Sequence, residues 1–598
     1  MTKKKPGFAE SLKILGKALA ISIKVKSVLS IIVSIAGFAA AFLPMLIAIA
    51  LKNFSNEIQT LYGTGPAVMT KVLSAFAILS ALYIIQLLWQ NVQAYFEVLD
   101  KTKITHYMRE RVLRCTCDVK YKYLENYDNF HDKVKFVNSD ANDRVAGSMQ
   151  TIIVWFQNII TFISIIVTLL EIDVWIVVIL CVACIPSVVI SYVQKNEEYY
   201  GKTMWSRDSL LAMRYFFEAV WAESINEIRF LGIFNWRKKK FQERNASHIT
   251  SKNKMTRKHV FVNSLADMLR GGVYIFILIL AAKRIFDNPA VGIGTFMLVL
   301  TMSSQLQDIT ARILVTAAKF VSDVSYLRDF FYLDELEYEL RRPNAEPYEK
   351  YDIDFQNVKF SYPNTEREIF SNLNVQIKAG EKVAIVGENG SGKSTFVSLL
   401  CALHEPDEGS ISLGGNDLCS DLSRTRKTIS AVFQDFAHYE STLRENITAS
   451  SDRNASDSEI MELCEMVGSA EVIAEQAAGL DEVVGKFSST GNNLSGGQWQ
   501  KIALTRCAYR SDARIMVLDE PTAALDPLAE AELYRNFASI TGARTTILIS
   551  HRLGIAKLVD RILVFDNGAI VEDGDHETLM GNDGIYAKMY QSQSQWYE

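Results

Sequence analysis

Six runs of about 20 residues, nearly free of charge, occupy the first half of the chain and constrain its fold more than any other feature. They are residues 28–51, 72–96, 146–170, 174–193, 260–282 and 293–316. A run of that length is what an α-helix needs to cross the hydrocarbon core of a bilayer, where backbone polar groups must be satisfied within the segment. Lys26 and Lys52 bracket the first run, and Lys71 and Glu97 the second. Only Glu171-Ile172-Asp173 separates the third from the fourth. The fifth carries Asp267 and Arg270 and the sixth Asp308 and Arg312, in each case toward one end. The first run is too long for a signal-peptide core and lacks a small-residue cleavage site, so it is read as a retained helix with no further domain ahead of it.

The distribution of lysine and arginine orients these runs. Stretches 97–145 and 194–259 are long and basic, with Lys101, Lys103, Arg109, Arg111, Arg114, Lys120 and Lys122 in one and Arg237-Lys238-Lys239-Lys240 in the other. The links 52–71, 171–173 and 283–292 are short and poor in both. The long stretches are therefore expected on the cytoplasmic side of the cell membrane, as helical extensions of the spans. The N-terminus with Lys3-Lys4-Lys5 joins them, and six crossings return the chain to that side. Net charge is only −5, which removes any bulk electrostatic case for nucleic acid. Cys181 and Cys184 form the one CxxC, inside an apolar run with no second pair, so they read as small helix residues rather than a zinc site.

Residues 1–329 are thus expected to form an α-helical polytopic membrane domain. Residues 330–350, rich in Glu and Tyr and holding Pro343 and Pro347, read as a linker. From Tyr351 to Glu598 short β-rich runs alternate with helical ones, the pattern of an α/β domain.

That domain opens with KVAIVG followed by GENGSGKS at 387–394, a strand–loop–helix P-loop. Gly387, Gly390 and Gly392 let backbone amides turn inward around phosphates, with Asn389, Ser391 and Thr395 in the same loop and first turn. Lys393 would reach the β- and γ-phosphates of ATP and Ser394 would ligate Mg²⁺. In RIMVLDEPT, residues 514–522, an apolar strand ends in two carboxylates. Asp519 is the natural Mg²⁺ partner, and Glu520 is placed to act as general base on a water. In LSGGQ, residues 494–498, Ser495, Gly496, Gly497 and Gln498 open a helix whose free amides and dipole can face an anion.

This set of motifs resembles the ATPases of ABC transporters, most strongly from about Phe355 onward. The resemblance implies roles for four more residues. Tyr362, in FSYP, stacks on adenine; Gln434, in VFQD, contacts Mg²⁺ and water. Asp526, in AALD, lies in a loop that crosses a dimer, and His551, in LISHR, contacts the γ-phosphate. Fused behind six spans, the ATPase domain makes the chain similar to half-transporters of the exporter branch (type IV fold). That branch implies a head-to-tail dimer, with each ATP between Lys393 of one copy and Ser495 of the other. Intact Glu520 and LSGGQ favour a homodimer over pairing with a second, different half-transporter. Coupling helices are expected near Asn138–Val145 and Arg214–Ile228, the second reaching the partner, and ATP would drive alternating access.

Polar residues in the spans are candidates for the substrate route. Thr301, Gln305, Asp308 and Arg312 share one face of the sixth run, as do Gln86, Gln90 and Gln93 in the second. For the sixth run the competing reading is an i,i+4 ion pair that fixes packing. FQDF at 433–436, Trp499 after LSGGQ, and YESTLRENI resemble exporters of lantibiotics and related ribosomal peptides, such as the nisin exporter. A peptide is therefore the expected cargo. A drug or lipid is the alternative, and import by the same fold a third reading.

Overall fold

The structure is a computed structural model that describes residues 8–64, 69–125, 142–220, 222–287, 292–339, 346–363, 365, 367–451, 453–485 and 493–594. Two compact units emerge: Met1–Cys117 with Asp132–Leu336, and Asp118–His131 with Glu337–Glu598.

The first unit is all helix. Its elements are α1 (Phe8–Val25), α2 (Val28–Ala40), α3 (Leu43–Thr64) and α4 (Met69–Asp118). The chain then contributes α5 (Tyr121–Leu124) to the second unit and returns as α6 (Asn142–Leu170), α7 (Val174–Val220), α8 (Ala222–Phe230), α9 (Phe234–Asp287) and α10 (Gly292–Phe331). Helix α4 has 50 residues and α9 has 54. At 1.5 Å per residue each is about 75–80 Å long, far more than a bilayer core of about 30 Å. The basic stretches are thus continuous with apolar spans.

The first apolar run is not one helix. It breaks between Ala40 and Leu43, beside Pro44, whose ring nitrogen cannot donate to the helical ladder. The break is satisfied from outside: Thr161 Oγ1 of α6 donates to the Ala41 carbonyl at 2.8 Å. Among the described residues, four stretches are long and apolar enough to cross a bilayer: Val28–Leu61, Met69–Asp118, Gln150–Leu170 and Phe234–Arg284. Val174–Ala183 is a shorter apolar stretch at the start of α7. In α10 the run 293–316 is diluted by Thr301, Ser303, Ser304, Gln305, Gln307 and Asp308. Ala48, Ile165, Leu169, Leu180, Ile277, Leu298, Met302 and Leu306 pack as the core of the bundle. Lys26 and Asp100 are buried together 3.0 Å apart, and Ser30 Oγ and Gln150 Oε1 complete their bonding at 2.6 and 3.2 Å. A buried charge pair of this kind persists only with its remaining partners satisfied.

The second unit is α/β. Its antiparallel sheet has the order β2 (Glu368–Ile377), β1 (Ile353–Ser361), β4 (Glu408–Leu413), β5 (Asn416–Asp417). Its main sheet runs β12 (Ala569–Gly574), β11 (Arg561–Asp566), β3 (Lys382–Gly387), β10 (Thr545–Ile549), β9 (Ile515–Asp519), β6 (Ile429–Val432). All but β12 are parallel to their neighbours, so their C-terminal ends share one edge, where open α/β sheets bind ligands. Strand β10 separates β3 from β9, in the register Ile385–Ile549–Asp519. Helices that matter for the site are α11 (Lys393–Leu400), α16 (Gly496–Tyr509) and α17 (Pro527–Thr541); between the first two lie α12 (Leu422–Thr428), α13 (Leu443–Thr448), α14 (Asp457–Val467) and α15 (Ala470–Ala474).

Residues 118–125 pack on this second unit although they follow a spanning helix. Val119 bridges Tyr338, Lys120 N–H bonds Glu337 O at 3.1 Å, and Glu339 N–H bonds Asp118 O at 2.8 Å. Of the expected coupling segments, 138–141 and 221 lie outside the described residues; 142–145 open α6, 214–220 end α7, and 222–228 make up most of α8.

Candidate nucleotide site

Strand β3 delivers the chain to the P-loop, and glycine is required there. Gly387, Gly390 and Gly392 have φ of +147°, +82° and +109°, in the region that side chains disfavour. A Cβ on Gly387 would lie 2.2 Å from the Phe565 carbonyl oxygen, and one on Gly392 2.8 Å from the Phe370 ring. The loop is therefore a bare backbone cradle. Lys393 is buried at the start of α11 and folds back over it, donating to Gly387 O and Glu388 O, both at 2.8 Å. Burial pushes its ammonium pKa down, against the pull of Glu520 and Asp519. Asn389 and Ser394 are exposed. Ser391 Oγ is buried and, among the described residues, has no hydrogen-bond partner. Thr395 Oγ1 lies 3.0 Å from the Tyr362 hydroxyl.

Two strands away, β9 ends in Asp519. It is buried, and its Oδ1 has no partner among the described residues. Burial, reinforced by the neighbouring Glu520 charge, pushes its carboxyl up to about 6. An unpaired carboxylate oxygen and an exposed Ser394 hydroxyl are the donor types a hard divalent cation takes.

Glu520 turns away from the strand with φ +52°, a left-handed conformation rare for glutamate. Its own N–H is held by Ile549 O at 2.9 Å. Its carboxylate meets His551 Nε2 at 3.1 Å and Gln434 Nε2 at 3.3 Å. Burial first, and then Lys393, keep His551 below its ordinary pKa.

A residue that motif reading missed sets this turn. Gln500 of α16 is buried, donates to Glu520 O at 3.0 Å and accepts the Ala524 N–H at 2.9 Å. It lies two positions beyond LSGGQ, and that proximity was the available signal.

The P-loop, Asp519, Glu520, Gln434 and His551 are thus gathered along one edge of the main sheet, and Tyr362, just past β1 of the antiparallel sheet, reaches the P-loop helix through Thr395. The remaining predicted residues have local polar contacts. Ser495 caps α16: its Oγ accepts the Gln498 N–H at 3.2 Å, and Gln498 Oε1 accepts its N–H at 2.8 Å, a reciprocal capping box. A Cβ on Gly497 would lie 2.9 Å from Ala524 O, while Ser495 and Gly496 stand exposed. Asp526 caps α17 through the N–H groups of Leu528 and Ala529, both at 2.9 Å, which hold its carboxyl below the ordinary value.

Comparison with known proteins bears on this assembly. The ABC transporter family matches residues 370–523, and the ABC transporter transmembrane region matches residues 28–310. The subtilin transport ATP-binding protein SpaT of Bacillus subtilis is 32% identical over 504 residues, 82% of this chain and 80% of that one. The chain belongs to the ABC transporter family. An ATP-dependent lipid A-core flippase of Photorhabdus laumondii is 37% identical over 261 residues, 44% of this chain and 43% of that one. The fold matches a bacterial Atm1-family ABC exporter with ATP bound, with a TM-score of 0.80 at 23% identity over 94% of this chain and 97% of that one. This ABC transporter is therefore a membrane protein with a helical membrane domain and an ATPase domain of the exporter fold. It binds ATP and couples ATP hydrolysis to transport, and half-transporters of this kind typically dimerise.

The transporter's membrane unit also carries a polar face. Gln86, Gln90, Gln93 and Glu97 fall within about 60° of arc on α4. Leu79 and Ile104, Met108 and Val112 lie close to the same line and are buried. The inner face of α4 is therefore covered at both ends and open in the middle: Gln86 and Gln93 are half-buried, and Gln90 and Glu97 exposed. Gln93 Nε2 lies 3.5 Å from Gln157 Oε1 of α6, whose Nε2 lies 3.4 Å from Ser34 O. On α10, Thr301 bonds back to Met297 O at 2.8 Å, and Gln305 Oε1 is buried without a partner among the described residues. Asp308 and Arg312 are both exposed.

Proposed function

We propose that this transporter works as a homodimer in the cytoplasmic membrane and exports a ribosomally made peptide, with its ATPase domain and N-terminus in the cytoplasm. One observation carries the peptide reading: the likeness to a subtilin transport protein runs over 504 residues and so includes the membrane domain. The likeness to a lipid flippase covers 261 residues, too few to include both units. The motifs around Gln434 and Trp499 point the same way. Lipid or drug export is the second reading.

The geometry supports the following division of roles. Lys393 leaves the carbonyls of Gly387 and Glu388 for the β- and γ-phosphates, and the amides of the glycine cradle hold the remaining oxygens. Ser391 Oγ gives a further donor, and Tyr362 stacks on adenine. The orphaned Asp519 oxygen, Ser394 Oγ and Gln434 Oε1 would hold Mg²⁺. When bound, that ion offsets negative charge on the phosphate oxygens. Glu520 accepts the proton of the attacking water, with Gln434 fixing its carboxylate and the largely neutral His551 directed at the γ-phosphate. The exposed N-terminus of α16, with Ser495, Gly496, Gly497 and Gln498, closes on the γ-phosphate of the partner's nucleotide, beside the loop of Asp526.

ATP thereby closes two copies, and hydrolysis separates them. Substrate shifts the cycle only by binding one state better than the other. The open stretch of α4 at Gln86–Glu97 is a candidate wall for its route, since polar groups at that depth face water, protein or cargo rather than lipid.

ATPase turnover in lipid nanodiscs, titrated with leader-bearing peptides and separately with lipophilic drugs and lipids, tests the cargo. Saturable stimulation by a peptide alone is expected. Stimulation by many unrelated amphiphiles with no peptide preferred would replace this reading with the multidrug or lipid one.

A further inference from the structure

His404 lies four residues beyond the end of the P-loop helix α11 and has no place in the nucleotide motifs. It is buried, yet it is a polar ring, and its neighbours are unusual. Its ring meets Tyr362 edge-on at 5.5 Å and 88°, Tyr121 edge-on at 5.3 Å and 84°, and Phe360 at 5.3 Å. Its Nε2 lies 3.1 Å from Glu125 Oε1, within ion-pair distance. The adjacent Glu405 pairs with Lys120 at 3.0 Å. Tyr121, Glu125 and Lys120 all belong to the segment between α4 and α6, two helices of the membrane unit.

Tyr362 is held at three points: its hydroxyl by Thr395 of α11 at 3.0 Å, and its ring by Phe360 at 5.2 Å and by His404 at 5.5 Å. Among the described ring pairs, His404 alone touches both Tyr362 and Tyr121. Burial, and then Glu125 and Tyr362, raise the Tyr121 phenol pKa, consistent with a closed packet of side chains.

We propose that His404 is a positioning residue that sets the Tyr362 ring against the nucleotide base and ties that ring to the 118–125 segment, so that base occupancy is felt by the chain between two membrane helices. This rests on Tyr362 stacking on adenine. Edge-to-face contacts between rings 4.5–7 Å apart are directional, so removing the His404 ring takes away one of the two ring contacts that set the tilt of Tyr362. The segment then loses its line to the base. The inference names a residue outside the phosphate machinery that acts on KM and base choice rather than on the hydrolytic step.

The test is a double-mutant cycle on the full chain in nanodiscs, read as KM and kcat for ATP and for CTP. His404→Ala is expected to raise the ATP KM about two- to tenfold, from the worth of one aromatic contact, with kcat within about twofold. It should also narrow the preference for ATP over CTP. Tyr121→Leu should raise the ATP KM in the parent and have no further effect in the His404→Ala background. Additive effects, or a Tyr121→Leu variant with parental KM, would overturn the proposal. If His404→Ala does not fold, His404→Phe and His404→Gln take its place: Phe should keep the parental KM and Gln should not, and equal values would overturn it. Tyr362→Leu separates the underlying reading. A parental ATP KM in that variant removes adenine stacking itself, whereas a raised KM with an additive cycle removes only the role of His404.

Discussion

Glu520 Oε1 lies 3.1 Å from His551 Nε2, and Glu520 is held there on a left-handed backbone with φ +52°. A glutamate adopts such a conformation only where surrounding bonds impose it, and here the Ile549 carbonyl and Gln500 do so. The carboxylate is thereby turned off the strand and toward the P-loop side of the sheet edge.

Removing its basicity should separate binding from chemistry. Glu520→Gln keeps the shape and the contact with His551 but cannot accept the proton of water. ATP binding should stay near parental while turnover falls on the order of 100-fold or more, the usual worth of a general base. Equilibrium binding of labelled ATP and phosphate release, measured on the same nanodisc preparation, check this. Parental turnover would remove Glu520 from the role.

Lys393→Ala should behave in the opposite way and weaken nucleotide binding itself. Lys393 is buried and, among the described residues, bonded to loop carbonyls alone, so its loss leaves Gly387 O and Glu388 O without that donor and the phosphates without that cation. Nucleotide titration is the measurement, and parental affinity would contradict the assignment.

Asp519 gives the site a pH dependence. Its carboxyl is raised from 3.8 to about 6, so the folded chain retains a proton that the unfolded chain releases. Between those values stability therefore falls as pH rises, and it is flat above them. A divalent cation binds only the ionised form and must displace that proton. Affinity for ATP with Mg²⁺ should drop as pH is lowered through about 6, while affinity without Mg²⁺ changes less. Asp519→Asn should abolish the difference between the two titrations.

Gln500→Leu tests the support of Glu520. The substitution removes the bonds to Glu520 O and from Ala524 N–H but leaves the P-loop, Lys393 and Asp519 unaltered. Turnover should fall roughly tenfold, in line with the loss of a positioning contact, with little change in ATP KM. Steady-state kinetics normalised to the amount of protein that binds ATP distinguish this from a general loss of folding, which would lower the active fraction and leave kcat per active site unchanged.

Much of this architecture was legible in the residues. Apolar runs and P-loop spacing are local signals, set by the hydrocarbon thickness and by backbone geometry at glycine. Asp519 and Glu520 follow directly from an apolar strand ending in carboxylates. The break at Ala41–Phe42 was hidden because a single proline early in a helix is compatible with continuity, and its stability depends on Thr161, 120 residues away. Gln500 looked like one more polar helix residue until its partner, the Glu520 carbonyl, was in place. The docking of residues 118–125 on the ATPase unit is likewise non-local: Tyr121, Glu125 and His404 gain meaning only once the fold brings them together. The open glutamine face of α4 was visible as a stripe, but its coverage at both ends was not.

The most direct measurement is transport itself, in inside-out vesicles containing the protein, with a labelled leader-bearing peptide outside and ATP added. The account predicts saturable, ATP-dependent accumulation of peptide in the vesicle lumen that is lost in Glu520→Gln. No peptide accumulation in vesicles that move a lipid or drug with ATP would contradict it.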